Sequence, residues 1–377
     1  MRHLKTRPRV LFLTVIPSPY QRELFHALHS DGRMEIQVLY YSIEASDRNW
    51  SIKPLNHYEK ILPGITVHLL GPSAHFNPNI LGVLSKESSD FVVVSDYSAP
   101  TAQIAMRYLN LRRRPWVFWG EVPGFRARRP LASWVRHQLQ CPIANGAAAI
   151  AAIGSEAAEV YQTLFPRIRI FNIPYFCDLE KFSIAAGGRW KRKKNSIDVL
   201  FSGQLIARKG VDVLIKAFAR ISHQVPRMRL QLLGTGPARL SFAKLIPLEL
   251  RDRVQFLGFQ QPNAIPEIFA AADAFVLPSR HDGWGVVVNE ALGAGLPIIV
   301  SDRVGARELV KHGRNGLITC AGDIDSLANA LLKLGQSPQL LERYSHSSRL
   351  ESVHWGLDEG VKRWNELCDY VAAALRR

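Results

Sequence analysis

The stretch Pro278-Ser279-Arg280-His281-Asp282-Gly283-Trp284-Gly285-Val286-Val287-Val288-Asn289-Glu290-Ala291-Leu292-Gly293-Ala294-Gly295-Leu296-Pro297 reads as a strand end, a glycine-rich turn and a helix start. The apolar run 274–277 stops at Pro278, Gly283 and Gly285 permit a sharp turn with close backbone approach, and 286–292 can wind helically. Such a junction suits an anion, because the first helical N–H groups have no internal partner and the helix dipole adds partial positive charge. Two carboxylates, Asp282 and Glu290, bracket the turn. Carboxylates repel phosphate, so their presence points to a ligand that carries hydroxyls as well as phosphate, as a nucleotide sugar does.

Around this junction, apolar runs at 197–201, 229–233, 253–257, 273–277 and 297–301 alternate with helical patterns at 211–221 and 326–334. An earlier series, 9–15, 35–41, 66–70, 91–95, 116–119, 148–153 and 169–173, alternates with helical stretches at 20–29, 101–110 and 155–164, the last with Ser155 and Glu159 as a cap region. The runs are short, unalternated and rich in Val, Ile, Leu and Phe, which is the pattern of parallel strands covered on both faces. The alanine-rich run 143–153 belongs to the core. Two strand-helix series predict an α/β chain of two Rossmann-like domains facing a cleft, at 1–180 and 196–355. Between them Ala185-Ala186-Gly187-Gly188 meets Arg189-Trp190-Lys191-Arg192-Lys193-Lys194, and 181–195 reads as a linker. Residues 356–377 form a last helix with Trp364, Leu367 and Val371 on one face, fit to lie on either domain or to cross back to the first.

A length of 377 residues exceeds what one core usually supports, which agrees with two domains. An apolar fraction of 47% with 21% charged residues argues against long disorder. Lys and Arg number 48 against 32 acids, and the resulting +16 favours an anionic partner. Cys141, Cys177, Cys320 and Cys368 lie far apart without metal spacing, so a reducing compartment and no zinc site are expected. The run 10–16 follows a basic start but lacks a small-residue cleavage site and reads as a first strand. No stretch approaches the roughly 18 apolar residues of a membrane span, so a cytoplasmic protein is expected.

A second informative segment is Phe201-Ser202-Gly203-Gln204-Leu205-Ile206-Ala207-Arg208-Lys209-Gly210-Val211-Asp212. It places adjacent cations between a strand's carboxyl end and a helix, where an Arg fork and a Lys point charge suit a pyrophosphate and the charge growing on a departing diphosphate. Taken alone, a solvated pair before a helix explains it equally well. Gly234-Thr235-Gly236-Pro237-Ala238-Arg239 puts Arg where a dinucleotide fingerprint needs its third glycine, and the turn 16–22 has no glycine, which argues against NAD. Asp323-Ile324-Asp325 imitates a metal-binding DxD, but its place before a helix makes Asp323 a cap.

In order and spacing, Gly203…Arg208-Lys209-Gly210, Gly234-Thr235-Gly236-Pro237 and Pro278-Ser279…Asp282-Gly283-Trp284-Gly285…Glu290-Ala291…Gly295-Leu296-Pro297-Ile298 resemble the retaining family 4 glycosyltransferases (glycosyl transferases group 1) of GT-B fold. The match covers most of the second domain; the first is similar more loosely, through Asn172-Ile173-Pro174-Tyr175…Asp178…Phe182. The resemblance implies a nucleotide-sugar domain in the second half and an acceptor domain in the first. It gives Glu290 the ribose hydroxyls, Asp282 hydroxyls of the donor sugar, and the backbone of Gly283, Trp284, Gly285 and Val286 the diphosphate, with Gly203 and Gly234 also on the donor's side. Arg208 and Lys209 would offset charge on the leaving group. Transfer would need no metal or other cofactor, with front-face attack and the departing phosphate oxygen taking the acceptor proton. The chain departs from the family in having Asp282 where Glu is usual and Trp284 where Phe is usual. The first is one methylene shorter, and the second is expected to narrow the donor pocket.

In the first domain Tyr20, Asp96, Tyr97 and Glu121 follow strand ends, which makes them candidates for the acceptor side, with Glu121 nearest the chemistry. Each has a plainer reading as a loop residue satisfied by water or by capping. Arg107, Arg112, Arg113, Arg114, Trp116, Arg126, Arg128, Arg129, Trp134 and Arg136 form a basic, aromatic cluster. It suits docking on an anionic membrane, at the inner face, to reach a lipid-linked or lipopolysaccharide acceptor. No nucleic-acid-reading module is recognisable, so no nucleic-acid partner is expected. A nucleotide-sugar 2-epimerase of similar architecture and a non-catalytic membrane- or nucleic-acid-binding protein are the alternatives.

Overall fold

The apolar runs of the first half become β1 (Arg9–Thr14), β2 (Glu35–Tyr40), β3 (Glu59–Ile61), β4 (Ile65–Thr66), β5 (His75–Phe76), β6 (Phe91–Ser95), β7 (Trp116–Gly120), β8 (Ala149–Ala152) and β9 (Arg169–Asn172). Seven of these form one parallel sheet in the order β3-β2-β1-β6-β7-β8-β9, while β4 and β5 pair antiparallel with each other. Every residue of β6, β7 and β8 is buried, as unalternated apolar strands require when helices cover both faces. The computed structural model describes residues 7–43, 54–66, 74–123, 130–187 and 195–376. Most of the expected strand 66–70, together with Arg126, Arg128, Arg129 and residues 188–194, lies outside the described residues.

The chain divides into two units, Met1–Tyr175 with Leu357–Arg377, and Phe176–Gly356. The last helix, Leu357–Arg376, thus belongs to the first unit. Trp364 sits edge-on to Phe12 at 5.1 Å and to Trp119 at 5.2 Å, and Asn365 Nδ2 donates to Asp31 Oδ2 at 3.0 Å. Each such aromatic pair adds about 0.5–1.5 kcal/mol beyond its buried area. Trp364, Leu367 and Val371 are all buried, so the apolar face read from the sequence is the face that anchors the helix. In the stretch read as a linker, Glu180–Ala186 is a helix whose Phe182 lies edge-on to Phe269 at 5.5 Å. The helix Ser155–Leu164 spans the stretch read from the sequence, with Gly154 at φ 94° in the cap position instead of Ser155.

In the second unit β10 (Ile197–Ser202), β11 (Met228–Leu233), β12 (Val254–Gly258), β13 (Ala274–Leu277), β14 (Ile298–Ser301) and β15 (Gly316–Thr319) form a parallel sheet ordered β12-β11-β10-β13-β14-β15. In each sheet the chain builds outward in one direction, then returns to the far side of its first strand. The reversal falls between β1 and β6 in the first unit and between β10 and β13 in the second. Loops that leave the carboxyl ends of such a strand pair diverge and leave a crevice, where open α/β sheets bind ligands. Among the described residues no helix is long and apolar enough to cross a membrane.

Candidate active site

The reversal in the second unit brings the two segments singled out from the sequence side by side. After β10 the chain makes a 3-10 turn, Ala207–Lys209, and Gly210 closes it at φ 72°. A Cβ on Gly210 would lie 2.1 Å from the Pro278 carbonyl oxygen, so only glycine lets this turn approach the end of β13. Gly234, at the end of β11, does the same on the other side: at φ 129° it packs on Gly203, whose carbonyl oxygen a Cβ would meet at 2.0 Å. Three strand ends are therefore in backbone contact, and the Lys209 stem runs past Gly203.

Lys209 Nζ lies 2.5 Å from Asp282 Oδ2, and Arg208 Nη1 lies 3.6 Å from Asp282 Oδ1 while donating to the His281 carbonyl at 3.0 Å. Residues 73 positions apart thus form one charged cluster. Asp282 is 9% exposed, and its backbone is fixed by its N–H to the Arg303 carbonyl at 2.9 Å and by the Gly305 N–H to its own carbonyl at 3.1 Å. Arg280 N–H donates to the Arg208 carbonyl at 2.8 Å, which joins the two loops directly.

Beyond Asp282 the backbone runs through Gly283, Trp284 and Gly285 into the seven-residue helix Val287–Gly293. The N–H groups of Gly283, Gly285, Val286 and Val287 have no acceptor among the described residues. They are a row of donors beside two cations, which an anion's oxygens would satisfy. Glu290 lies in the first turn of that helix, half-buried, with its own N–H bonded to the Val286 carbonyl at 3.2 Å.

Trp284 differs from its expected role. The side chain is 1% exposed, its Nε1 donates to Asn289 Oδ1 at 2.9 Å, and its ring lies 6.5 Å from Trp355. It is part of the core under the loop and does not narrow a pocket; burial of so large a ring outweighs any surface role. Asp323 accepts at Oδ1 from the N–H groups of Asp325 (2.9 Å) and Ser326 (3.2 Å), as its place before a helix suggests. Among the described residues no group of three or more His, Cys, Asp and Glu is gathered for a metal ion.

In the first unit Tyr20 follows β1 and Asp96 and Tyr97 follow β6, so they flank the reversal of that sheet; Glu121 lies one strand further, after β7. Tyr20 packs on Tyr175 at 4.9 Å between ring centroids. Asp96 adopts φ 68°, uncommon for a residue with a Cβ, and its carboxylate accepts from Ser98 N–H at 2.7 Å and Ala99 N–H at 3.2 Å. Burial pushes its carboxyl above the ordinary range, and these hydrogen bonds pull back against that. Burial, and then the nearness of Asp96, raises the half-buried Tyr97 phenol as well. The Glu121 carbonyl accepts from Tyr161 Oη at 2.7 Å. Of the basic cluster, Trp116 is fully buried within β7, and Arg114 Nη1 donates to the Leu84 carbonyl at 2.5 Å, so both serve the interior; Trp134 is 60% exposed.

Sequence reasoning missed Arg280. Its side chain pairs with Asp212 through two 2.7 Å hydrogen bonds and reaches the Ala207 carbonyl at 2.7 Å. No periodicity or spacing marks an exposed arginine three residues past a strand. A buried fork in the first unit, Arg22 on Glu59 with Tyr40 Oη and Asn56 also donating to that carboxylate, was equally invisible.

Residues 188–351 match the family described as glycosyl transferases group 1. The second unit is a glycosyl transferases group 1 domain. The two Rossmann-like sheets of seven and six strands are those of the GT-B fold. The structure of sucrose-phosphate synthase from Thermosynechococcus elongatus superposes with a TM-score of 0.74 at 18% identity, over 98% of this chain and 100% of that one. That of the Anabaena protein HepE in complex with UDP-glucose gives 0.69 at 19% identity, over 96% of this chain and 100% of that one. The lipopolysaccharide core biosynthesis glycosyltransferase LpsD of Rhizobium meliloti is 38% identical over 148 residues, 39% of this chain and 41% of that protein. The first curated relatives are spanned over 20% to 59% of their own length.

Proposed function

We propose that this group 1 glycosyltransferase moves a sugar from a nucleoside diphosphate sugar to a hydroxyl of a glycan or lipid-linked acceptor, with retention of anomeric configuration, in the synthesis of cell-surface polysaccharide or lipopolysaccharide. The observation that carries the reading is the meeting of Arg208, Lys209 and a row of N–H donors at the reversal of the second sheet. Preorganised donors aimed where charge develops are usually the largest catalytic contribution, and here the charge develops on the departing diphosphate. Glu290 takes the ribose hydroxyls. Asp282 takes a sugar hydroxyl, for which it must share its carboxylate with Lys209. Tyr20, Asp96, Tyr97 and Glu121 of the first unit serve the acceptor. No metal is needed when two cations and backbone dipoles offset the leaving group's charge.

The likeness to HepE, whose structure holds UDP-glucose, supports a nucleotide-sugar donor, and that to LpsD supports a cell-surface product. The exposed Trp134 and the exposed or half-buried Arg107, Arg112, Arg113 and Arg136 support docking on an anionic membrane at its inner face. The test is a transfer assay across nucleotide sugars, with the anomer of the product read by NMR. The reading expects a retained configuration and loss of transfer in Arg208→Ala and Glu290→Ala; full rates in both variants, or an inverted product, would overturn it. Acceptor-independent release of free sugar with an epimerised carbon would favour the epimerase instead.

A further inference from the structure

The two cations that face the diphosphate stand on a single 3-10 turn, Ala207–Lys209, which supplies few hydrogen bonds of its own. Two of its carbonyls take a donor from one residue outside it. Arg280 donates from its backbone to the Arg208 carbonyl at 2.8 Å and from Nη1 to the Ala207 carbonyl at 2.7 Å. The same guanidinium grips both oxygens of Asp212, in the first turn of the helix Val211–Ile221, at 2.7 Å each. Four bonds from one residue thus span the turn from its first residue to the helix that follows.

The clamp also has an electrostatic consequence. Arg280 is a third cation within two residues of Asp282, and left unpaired it would compete for the same anion. Asp212 neutralises it through a planar, bidentate fork, a geometry specific to Arg. The fork holds the Asp212 carboxyl below its ordinary range and lifts the Arg280 guanidinium, which marks a pair that stays charged on both sides.

We propose that Arg280, locked by Asp212, is the positioning residue that holds Arg208 and Lys209 in register with the diphosphate, without touching the donor itself. The inference rests on the nucleotide-sugar reading above. A nucleoside diphosphate carries its outer phosphate to the Arg208-Lys209 turn, whereas a nucleoside monophosphate depends mainly on base, ribose and the first phosphate. Loosening the turn therefore weakens diphosphates selectively.

The experiment titrates UDP, GDP and ADP and their monophosphates into the full chain by calorimetry, with wild type, Arg280→Met, Asp212→Asn and the double variant. For the base that wild type binds, Arg280→Met is expected to weaken the diphosphate about tenfold and the monophosphate less than about twofold. Asp212→Asn should follow in the same direction, and the double variant should be no worse than Arg280→Met, because both remove one clamp. Arg280 is 41% exposed, so its replacement leaves the core intact. Equal loss of mono- and diphosphate, no loss of either, or additive effects of the two substitutions would overturn the clamp while leaving the nucleotide reading in place. Failure of wild type to bind any of the six nucleotides would overturn both.

Discussion

Breaking the Lys209-Asp282 pair from its two ends should have unequal consequences. Asp282 is only 9% exposed, and its short side chain hangs on a backbone pinned to Arg303 and Gly305, so it cannot swing its charge out to solvent. In Lys209→Met the carboxylate loses its 2.5 Å partner and keeps only Arg208 at 3.6 Å. Stranding one member of a buried pair costs about 3–5 kcal/mol, and the remaining Arg should hold the loss near the lower end, about 3 kcal/mol. In Asp282→Asn the stranded groups are cations on long stems, and Arg208 is already 36% exposed, so both can swing their charge to solvent. That loss should stay near about 1 kcal/mol, the worth of an ordinary hydrogen bond. Thermal unfolding reads the difference, since about 1 kcal/mol shifts Tm by about 2–4 °C in a unit of this size. Lys209→Met should melt roughly 6–12 °C lower and Asp282→Asn only about 2–4 °C lower. Asn at 282 destabilising as much as Met at 209 would refute the account of which charge is trapped.

Two further outcomes follow from close contacts elsewhere in the chain. Gly210→Ala puts a Cβ 2.1 Å from the Pro278 carbonyl oxygen at φ 72°, so the turn must move; a stability loss above about 1 kcal/mol and loss of transfer are expected, and a wild-type Tm with full rate would contradict the close approach. Glu59→Gln should cost about 3–5 kcal/mol at neutral pH by stranding Arg22. Burial pushes the Glu59 carboxyl up, but Arg22 and Tyr40 together hold it below its ordinary value. Its contribution is therefore full above the unfolded carboxyl's pKa and is lost as pH falls through the lowered folded one. Unfolding of wild type and variant should converge in acid, and a gap that widened there would contradict the pair.

The sequence made the second sheet and its site readable because the information is local. β10 and β13 are apolar runs ended by Gly203 and Pro278, β14 is one opened by Pro297, and the glycines that let three strand ends touch are the ones that also mark the motif. β15 was not read, because Gly316-Leu317-Ile318-Thr319 is too short and mixed to stand out from a loop. The alanine-rich run 143–153 was assigned to the core, although it divides into the end of the helix Pro130–Gly146 and the strand β8, since alanine suits either. The places of Trp284 and Arg280 are not legible in the sequence, for one shared reason. Which way a loop side chain faces depends on what packs beneath it, here Trp355 and Asp212, 71 and 68 positions away in the chain. Asp282 was identified but not its ion pair with Lys209, because spacing shows that two residues lie at neighbouring strand ends, not that their charges meet.

Calorimetric titration of the full chain with UDP, GDP and ADP, in chelator, tests the central claim most directly. The account predicts that one of the three binds, that Arg208→Ala and Glu290→Ala each weaken it, and that added metal leaves the affinity unchanged. Binding of none, or binding that both variants keep undiminished, would contradict it.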